Sequence, residues 1–181
     1  MPRDTREGAR RVVLGLGSNH HAEKAIPEAL ELLGYEFDLL VKSSRYVGPP
    51  ELDSGGKHDQ EAAASPVAAT ADGPVTEGPV VYSNMAVLVR TAESYGDIKA
   101  TLHALEEELG RDRSTPGVVP IDIDILLIEG EIIRSSSKKV LVPHPDLTTK
   151  RHAAIPSSEV APALRHPLTG ARLAEIAAEL A

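Results

Sequence analysis

Two aspartates, Asp122 and Asp124, stand one residue apart in an otherwise aliphatic segment at residues 121–128. The β-branched and aliphatic residues around them predict a strand, in which residues i and i+2 project from the same face. The two carboxylates then lie side by side, while Ile121, Ile123 and Ile125 point into a core. Because neighbouring carboxylates repel each other, we predict that a hard cation such as Mg²⁺ binds between them and phosphate oxygens. A solvated acid pair on an exposed strand is the alternative.

Candidate phosphate ligands occur at three other places. Arg111 and Arg113 precede the acidic strand, and guanidinium groups match phosphate oxygens, although basic residues there equally suit the C-terminal dipole of a helix. His144 lies between two prolines, where a rigidly held imidazole could donate to a phosphate or be a plain loop histidine. The glycine-rich segment 15–19 either exposes backbone N–H groups to an anion or makes a tight turn. It lacks the lysine of a Walker loop and the third glycine of a dinucleotide fingerprint.

The hydropathy pattern predicts the elements that hold these residues. Apolar stripes and alternation predict helices at 23–33, 94–109 and 171–180 and strands at 12–19, 36–42, 80–91, 121–128, 132–133 and 140–142. The order β-α-β-β-α-β is typical of an α+β, ferredoxin-like sandwich with an antiparallel sheet, here with an extra C-terminal hairpin and helix. On the second helix, Glu106 borders the apolar stripe and is expected to reach a cleft, whereas Glu107 should be solvated.

The chain of 181 residues fits a single domain, which we place at residues 12–181. Residues 1–11 carry four arginines and no apolar stretch, so we expect a flexible basic tail. Residues 51–79 are rich in Gly, Pro, Ala and Ser and nearly lack large apolar side chains. Such a composition buries too little surface to order itself, which predicts a mobile loop.

Composition excludes several classes of function. The net charge of -8 argues against a nucleic-acid-binding surface, and the absence of cysteine excludes disulfides and thiolate chemistry. No apolar run is long enough for a membrane span, and nothing resembles a secretory signal. We therefore expect a cytoplasmic protein without nucleic-acid or membrane partners, and we favour a monomer.

Taken together in this order, the motifs of the chain resemble those of the 6-hydroxymethyl-7,8-dihydropterin pyrophosphokinase family. The family transfers diphosphate from ATP to a pterin alcohol. The acid pair, the Tyr-x-Asn and the Pro-His-Pro elements are the most specific. The matching segments are Gly15-Leu16-Gly17-Ser18-Asn19, Ser43-Ser44-Arg45-Tyr46, Gly48-Pro49-Pro50, Tyr82-Ser83-Asn84, Glu106 to Arg113, Asp122-Ile123-Asp124-Ile125-Leu126 and Val142-Pro143-His144-Pro145-Asp146-Leu147.

The resemblance implies an ATP site and a pterin site side by side. Asp122 and Asp124 would hold two Mg²⁺ ions that bridge the phosphates of the co-substrate ATP, and Arg111 and His144 would contact those phosphates. The remaining nucleotide-site candidates are Glu106, Ile125, Arg113, Lys150 and Arg151. The pterin-site candidates are Gly48, Pro49, Pro50, Tyr82, Asn84 and His152.

Three departures from the family pattern keep other functions open. Val119 stands where the family carries an arginine, Lys150 stands at a second arginine position with Arg151 beside it, and His152 replaces a stacking aromatic. Loss of one phosphate-binding guanidinium could slow the reaction by on the order of 10²-fold. The alternatives are a degenerate relative that binds pterin or nucleotide without efficient transfer, and another metal-dependent transferase such as a nucleotide-sugar enzyme.

Overall fold

The computed structural model describes residues 8–49, 81–112, 114 and 117–181. The helices and strands follow the predicted order, with a second helical layer near the C-terminus. They are β1 (Arg10–Ser18), α1 (Ala22–Glu36), β2 (Asp38–Lys42), β3 (Tyr46–Gly48), β4 (Tyr82–Thr91), α2 (Tyr95–Glu108), β5 (Asp122–Ile128), β6 (Ile133–Arg134), β7 (Val140–Val142), a 3₁₀ helix (Pro145–Thr148), α3 (Arg151–Val160) and α4 (Leu173–Leu180).

The main sheet has the strand order β2-β4-β1-β5, and β3 also pairs with β4. All of these pairs are antiparallel. With α1 and α2 as its two crossover helices, the sheet has the β-α-β-β-α-β connectivity of an α+β, ferredoxin-like fold, as predicted. The additional β6–β7 hairpin and the C-terminal helix α4 are also confirmed.

The strand period places a core on each face of the sheet. One face packs against α1 and α2, and the other packs against α3 and α4. The isoleucines beside the acid pair are buried on the first face, as predicted: Ile121, Ile123 and Ile125 are 0%, 4% and 7% exposed. The acid pair therefore stands on a rigid, well-packed strand.

Two predicted boundaries are wrong. Strand β1 begins at Arg10, so Arg10 and Arg11 belong to the sheet and not to a tail. Their side chains bind Glu131 and Glu129, and the Arg11 Nε–Glu129 Oε2 distance is 2.9 Å. Helix α1 continues through Gly34 to Glu36 because the next residue, Phe37, is buried in the core and donates its N–H to Leu33 O at 2.9 Å.

Helix α3 is absent from the sequence-based prediction. Its buried residues are mostly small, and Pro156 lies inside it, so no apolar stripe of large side chains marks it. The predicted mobile loop at 51–79, together with Pro50 and Arg113, lies outside the described residues. None of the helices in the described ranges is long and apolar enough to cross a bilayer.

Candidate active site

The register of three strands brings the predicted binding residues onto one face of the sheet. Gly17 of β1 pairs with Asn84 of β4 on one side and with Asp122 of β5 on the other. Gly15 pairs with Asp124 in the same way. Because directly opposed residues in antiparallel strands share a face, Asn84 and the acid pair project together, with β1 between them. Two inter-strand spacings separate their backbones, which is about 10 Å.

Gly15 and Gly17 form the sheet surface between Asn84 and the acid pair, which we call the floor of the site. A Cβ at Gly17 would lie 3.2 Å from Asn84 Oδ1, and one at Gly15 would lie 2.9 Å from Leu126 Cδ1. The glycines that were candidates for a phosphate cradle are therefore strand residues whose missing Cβ makes room for the side chains of Leu126 and Asn84. Of the two alternatives for this motif, the geometry supports a structural role rather than a phosphate cradle.

The other side of this floor is formed by β3 and β4. Tyr46 pairs with Asn84 and Gly48 pairs with Tyr82, and the two tyrosines, Gly48 and Asn84 are all partly exposed. Pro49 is exposed beside them. Helix α3 packs against β3 and β4 and therefore borders this region. His152, with a partly exposed side chain, lies in the first turn of that helix.

A cleft of about 670 Å³ opens along the free edge of β5. Helix α2 forms one wall, and β7 with the 3₁₀ helix forms the other. Five predicted site residues meet there, since both aspartates, Ile125, Glu106 and His144 line the cleft. The remaining lining residues are Tyr95, Lys99, Leu102, His103, Ile123, Lys139, Val140, Leu141, Pro145, Asp146 and Thr149.

Glu106 is buried at 2% exposure between α2 and the acidic strand. Its Oε1 accepts a hydrogen bond from the N–H of Ile123 at 2.7 Å, which satisfies an edge donor of β5 between the two aspartates. Its neighbour Glu107 is exposed, as predicted. Glu106 therefore fixes the strand that carries the acid pair, in addition to lining the cleft.

The acid pair places two neighbouring carboxylates in the wall of the cleft. The pKa of Asp124 is raised to about 6, chiefly because the surrounding protein removes water from its carboxylate and secondly because Asp122 repels its charge. Glu106 and Asp146 act in the same direction, and His144 acts against it. A cation at this position would relieve that repulsion.

Among the described residues, no group of three His, Asp or Glu side chains is arranged to hold a metal ion without other ligands. Mg²⁺ commonly takes only one or two protein carboxylates and completes its shell with water and substrate phosphates. The donor set of Asp122 and Asp124 fits that mode of binding.

Arg111 and His144 both lie near the acid pair, and of the two only His144 lines the cleft. Arg111 Nη2 is 3.9 Å from Asp122 Oδ1, and its Nε is buried without a hydrogen-bond partner among the described residues. His144 Nδ1 accepts the N–H of Asp146 at 3.3 Å, so the proton of a neutral ring resides on Nε2. The His144 backbone N–H donates to Leu126 O at 2.7 Å, which ties this loop to β5.

Three further predicted residues lie where the 3₁₀ helix meets α3. Lys150 is the N-cap residue of α3 and is 7% exposed, and Arg151 is exposed. Asp146 Oδ2 lies 3.9 Å from His152 Nε2 and 3.7 Å from His144 Nδ1. One carboxylate therefore links the cleft to the start of α3, although Lys150, Arg151 and His152 do not line the cleft itself.

Sequence reasoning missed Tyr95, Lys99, His103, Lys139 and Asp146 as cleft residues. The first three share one face of α2 with Glu106, at the i, i+4, i+8 and i+11 spacing of a helix. That spacing was a detectable signal. Nothing local to Lys139 or Asp146 indicates the cleft, because tertiary packing alone brings them to it.

The chain is similar to known proteins of one family. The family model of 7,8-dihydro-6-hydroxymethylpterin-pyrophosphokinase (HPPK) matches residues 13–162. A Porphyromonas gingivalis 2-amino-4-hydroxy-6-hydroxymethyldihydropteridine pyrophosphokinase is 37% identical over 95 residues, which are 50% of this chain and 63% of the relative. The Aquifex aeolicus protein of the same name is 33% identical over 88 residues, which are 48% and 54% of the two chains. The matches thus span less than two thirds of these relatives.

Solved structures share the fold. The wild-type HPPK-DHPS of Plasmodium falciparum with pteroate has a TM-score of 0.65 and 14% sequence identity, and the match covers 95% of this chain and 44% of that one. A structure of the triple mutant of the same protein with pterin and p-hydrobenzoate has a TM-score of 0.64, with 98% of this chain covered and 45% of that one.

Proposed function

The chain belongs to the 7,8-dihydro-6-hydroxymethylpterin-pyrophosphokinase family, and on this premise we propose that it transfers diphosphate from ATP to 6-hydroxymethyl-7,8-dihydropterin and releases AMP. The observation that carries the proposal is the strand register. It sets Asn84 and the Asp122/Asp124 pair on one face, on either side of the glycines of β1. A floor of this kind would hold two substrates side by side.

ATP would occupy the cleft along β5. The volume of about 670 Å³ lies within the range of small-molecule sites. The partly exposed Val140 and Leu141, with the edge of Ile125, offer apolar surface for a base, and the acid pair lies where the phosphates would be held. Glu106 would keep β5 in place, while Arg113 and Arg151 are further candidates for nucleotide contacts. Lys150, from the start of α3, is a third.

Two Mg²⁺ ions would be held by Asp122 and Asp124, with ATP phosphates among their other ligands. When bound, they supply charge neutralisation for the transferred diphosphate. Arg111, whose side chain is 18% exposed, would donate to a phosphate, and His144 would donate from Nε2. Such donors stabilise the charge that develops in phosphoryl transfer without forming a covalent intermediate.

The pterin would lie over β3, β4 and the glycines of β1. Tyr82 would stack on its ring, and Asn84 would bond its polar edge, since an amide can both donate and accept. The backbone at Gly48 and Pro49, with Pro50, would form a further wall. His152 would border the ring from α3, with less stacking area than a phenyl group.

In this arrangement the hydroxymethyl oxygen of the pterin attacks the β-phosphorus of ATP. A bond from that oxygen to the β-phosphorus forms, the bond from the β-phosphorus to the α–β bridging oxygen breaks, and the hydroxyl proton is released. AMP then leaves with the bridging oxygen. The contribution of the chain is to hold the two reactants in line, which is where most of the rate enhancement arises.

The direct test incubates the protein with ATP, Mg²⁺ and 6-hydroxymethyl-7,8-dihydropterin and separates the nucleotides by chromatography. We expect AMP and pterin diphosphate in equal amounts, and neither product from an Asp122→Asn/Asp124→Asn variant. ADP as the product would contradict diphosphate transfer. Good pterin binding without AMP would instead identify a binding protein that has lost transfer. Action in the cytoplasm as a monomer, without nucleic-acid or membrane partners, stays a prediction.

A further inference from the structure

The turn after β1 is bound to the segment that leads into β5. Regular pairing of β1 with β5 ends at Gly17 and Asp122. Beyond it, the N–H of Asn19 donates to Val119 O at 3.0 Å, and Asn19 Oδ1 accepts the N–H of Val119 at 2.7 Å. Asn19 Nδ2 also donates to Gly117 O at 2.9 Å. The asparagine side chain thus replaces a backbone group and extends the ladder past the end of the strand.

These contacts fix one end of a very short segment that includes a cleft aspartate. Only two residues separate Val119 from Asp122. On the other side of Asp122, the N–H of Ile123 is fixed by Glu106 at 2.7 Å. The backbone at Asp122 is therefore held from both directions, by Asn19 through Val119 and by Glu106 through Ile123.

A second contact joins the same segment to a phosphate-ligand candidate. Arg111 Nη1 donates to Val118 O at 3.4 Å, one residue before Val119. Ser18 Oγ donates to Val119 O at 3.4 Å. A shift of the backbone at 117–119 would therefore move Arg111 as well as Asp122. Since these hydrogen bonds are made with the main chain of Val119, they do not depend on which side chain stands at that position.

We propose that Asn19 is a positioning residue that sets the affinity of the cleft for magnesium-bound nucleotide, by holding the backbone at 117–119 and with it the Asp122 carboxylate. This inference rests on the proposed function of the cleft. Mg²⁺ demands near-ideal octahedral geometry, so a small displacement of one ligand relative to Asp124 lowers its affinity. The asparagine amide suits the role because it offers one acceptor and one donor to two successive loop groups.

Two substitutions at position 19 distinguish an effect of loop position from an effect of charge. Alanine removes both side-chain bonds. Aspartate keeps an acceptor for the N–H of Val119 but cannot donate to Gly117 O, and it adds a negative charge near the acid pair. If charge alone mattered, aspartate would strengthen Mg²⁺ binding. If loop position matters, aspartate weakens it in spite of the added charge.

The test measures the Mg²⁺ concentration that gives half-maximal binding of a non-hydrolysable ATP analogue, by calorimetry. We expect Asn19→Ala to raise that concentration about 10-fold, with analogue affinity in EDTA unchanged, as a ligand misplacement of well under 1 Å would produce. The Val119 amide should exchange with solvent faster in the same variant. Asn19→Asp should also raise the concentration, by a smaller factor.

A matched control is Glu175→Ala at the start of α4, outside the cleft. Glu175 Oε2 accepts the N–H of Arg172 at 2.7 Å, so this variant also removes a side-chain bond to a backbone N–H. It should leave the Mg²⁺ requirement unchanged. If the Mg²⁺ requirement were unchanged in Asn19→Ala, or lowered in Asn19→Asp, the inference about Asn19 would be overturned but the proposed function would stand. A wild-type protein without Mg²⁺-dependent nucleotide binding would overturn the proposed function and this inference with it.

Discussion

At the scale of single residues, Asp124 shows how a binding site opposes folding. Its carboxylate stands beside Asp122 at the edge of a packed strand, and its pKa is raised to about 6. The ionised form is therefore less favourable in the folded protein than in the unfolded chain, where the pKa of aspartate is near its ordinary value. We infer that this arrangement is retained because a bound cation offsets the repulsion.

The first prediction concerns the stability of the metal-free protein. A carboxyl group with a raised folded-state pKa contributes stability below its unfolded pKa, and that contribution is lost as the pH rises through about 6. Asp124→Asn should therefore gain stability relative to wild type between pH 4 and pH 7.5. Because the carboxylate is open to the cleft, screening reduces the gain to about 1 kcal/mol. Urea denaturation in EDTA at both pH values measures the free energy of unfolding of the two proteins. If the difference between them were the same at both pH values, the prediction would be contradicted.

At the scale of elements, the paired strands matter more than any single side chain. The strand period correctly predicted that Asp122 and Asp124 would share a cleft and that the flanking isoleucines would be buried. It could not predict that Gly17 would lie between Asp122 and Asn84, because register between distant strands is set by tertiary packing. Helix α3 was missed for a related reason, since its alanines are buried only by packing against the sheet, the 3₁₀ helix and α4.

The second prediction tests the glycine floor. A Cβ at Gly17 would lie 3.2 Å from Asn84 Oδ1, so Gly17→Ala should displace the amide and reduce pterin affinity by about 10-fold. Affinity for Mg²⁺ and the ATP analogue should change much less. The control is Gly34→Ala in helix α1, where the added methyl meets nothing within 4 Å and should stabilise the protein by about 0.5–1 kcal/mol. Unchanged pterin affinity in Gly17→Ala would show that the pterin does not use this floor.

The third prediction concerns the attachment of helix α3. Glu159 accepts the N–H of Ser44 at 2.7 Å and the Ser44 hydroxyl at 2.8 Å, which joins α3 to the segment between β2 and β3. Glu159→Ala should loosen the region between Tyr46 and His152 and weaken pterin binding several-fold, since ordering that region would then reduce the binding free energy. Glu179→Ala, an exposed position on α4, is the matched control. Equal pterin affinities by fluorescence titration would refute the role of this contact.

At the scale of the whole molecule, the candidate site joins parts of the chain that are far apart in sequence. The cleft takes its walls from α2, β5, β7 and the 3₁₀ helix, and the floor takes its strands from both halves of the fold. The order of elements and the resemblance to a family could be predicted, because they depend on local pattern and motif. The contacts of Asn19 and the places of Lys139 and Asp146 in the cleft could not, because they arise only from tertiary packing.

The most direct test of the account compares nucleotide binding with and without the acid pair. Calorimetry would measure the affinity for a non-hydrolysable ATP analogue in Mg²⁺ and in EDTA, for wild type and for Asp122→Asn/Asp124→Asn. We expect Mg²⁺ to strengthen binding to wild type by on the order of 100-fold, and to leave binding to the double variant nearly unchanged. An equal strengthening by Mg²⁺ in both proteins would contradict the claim that these two aspartates anchor the metal and the nucleotide.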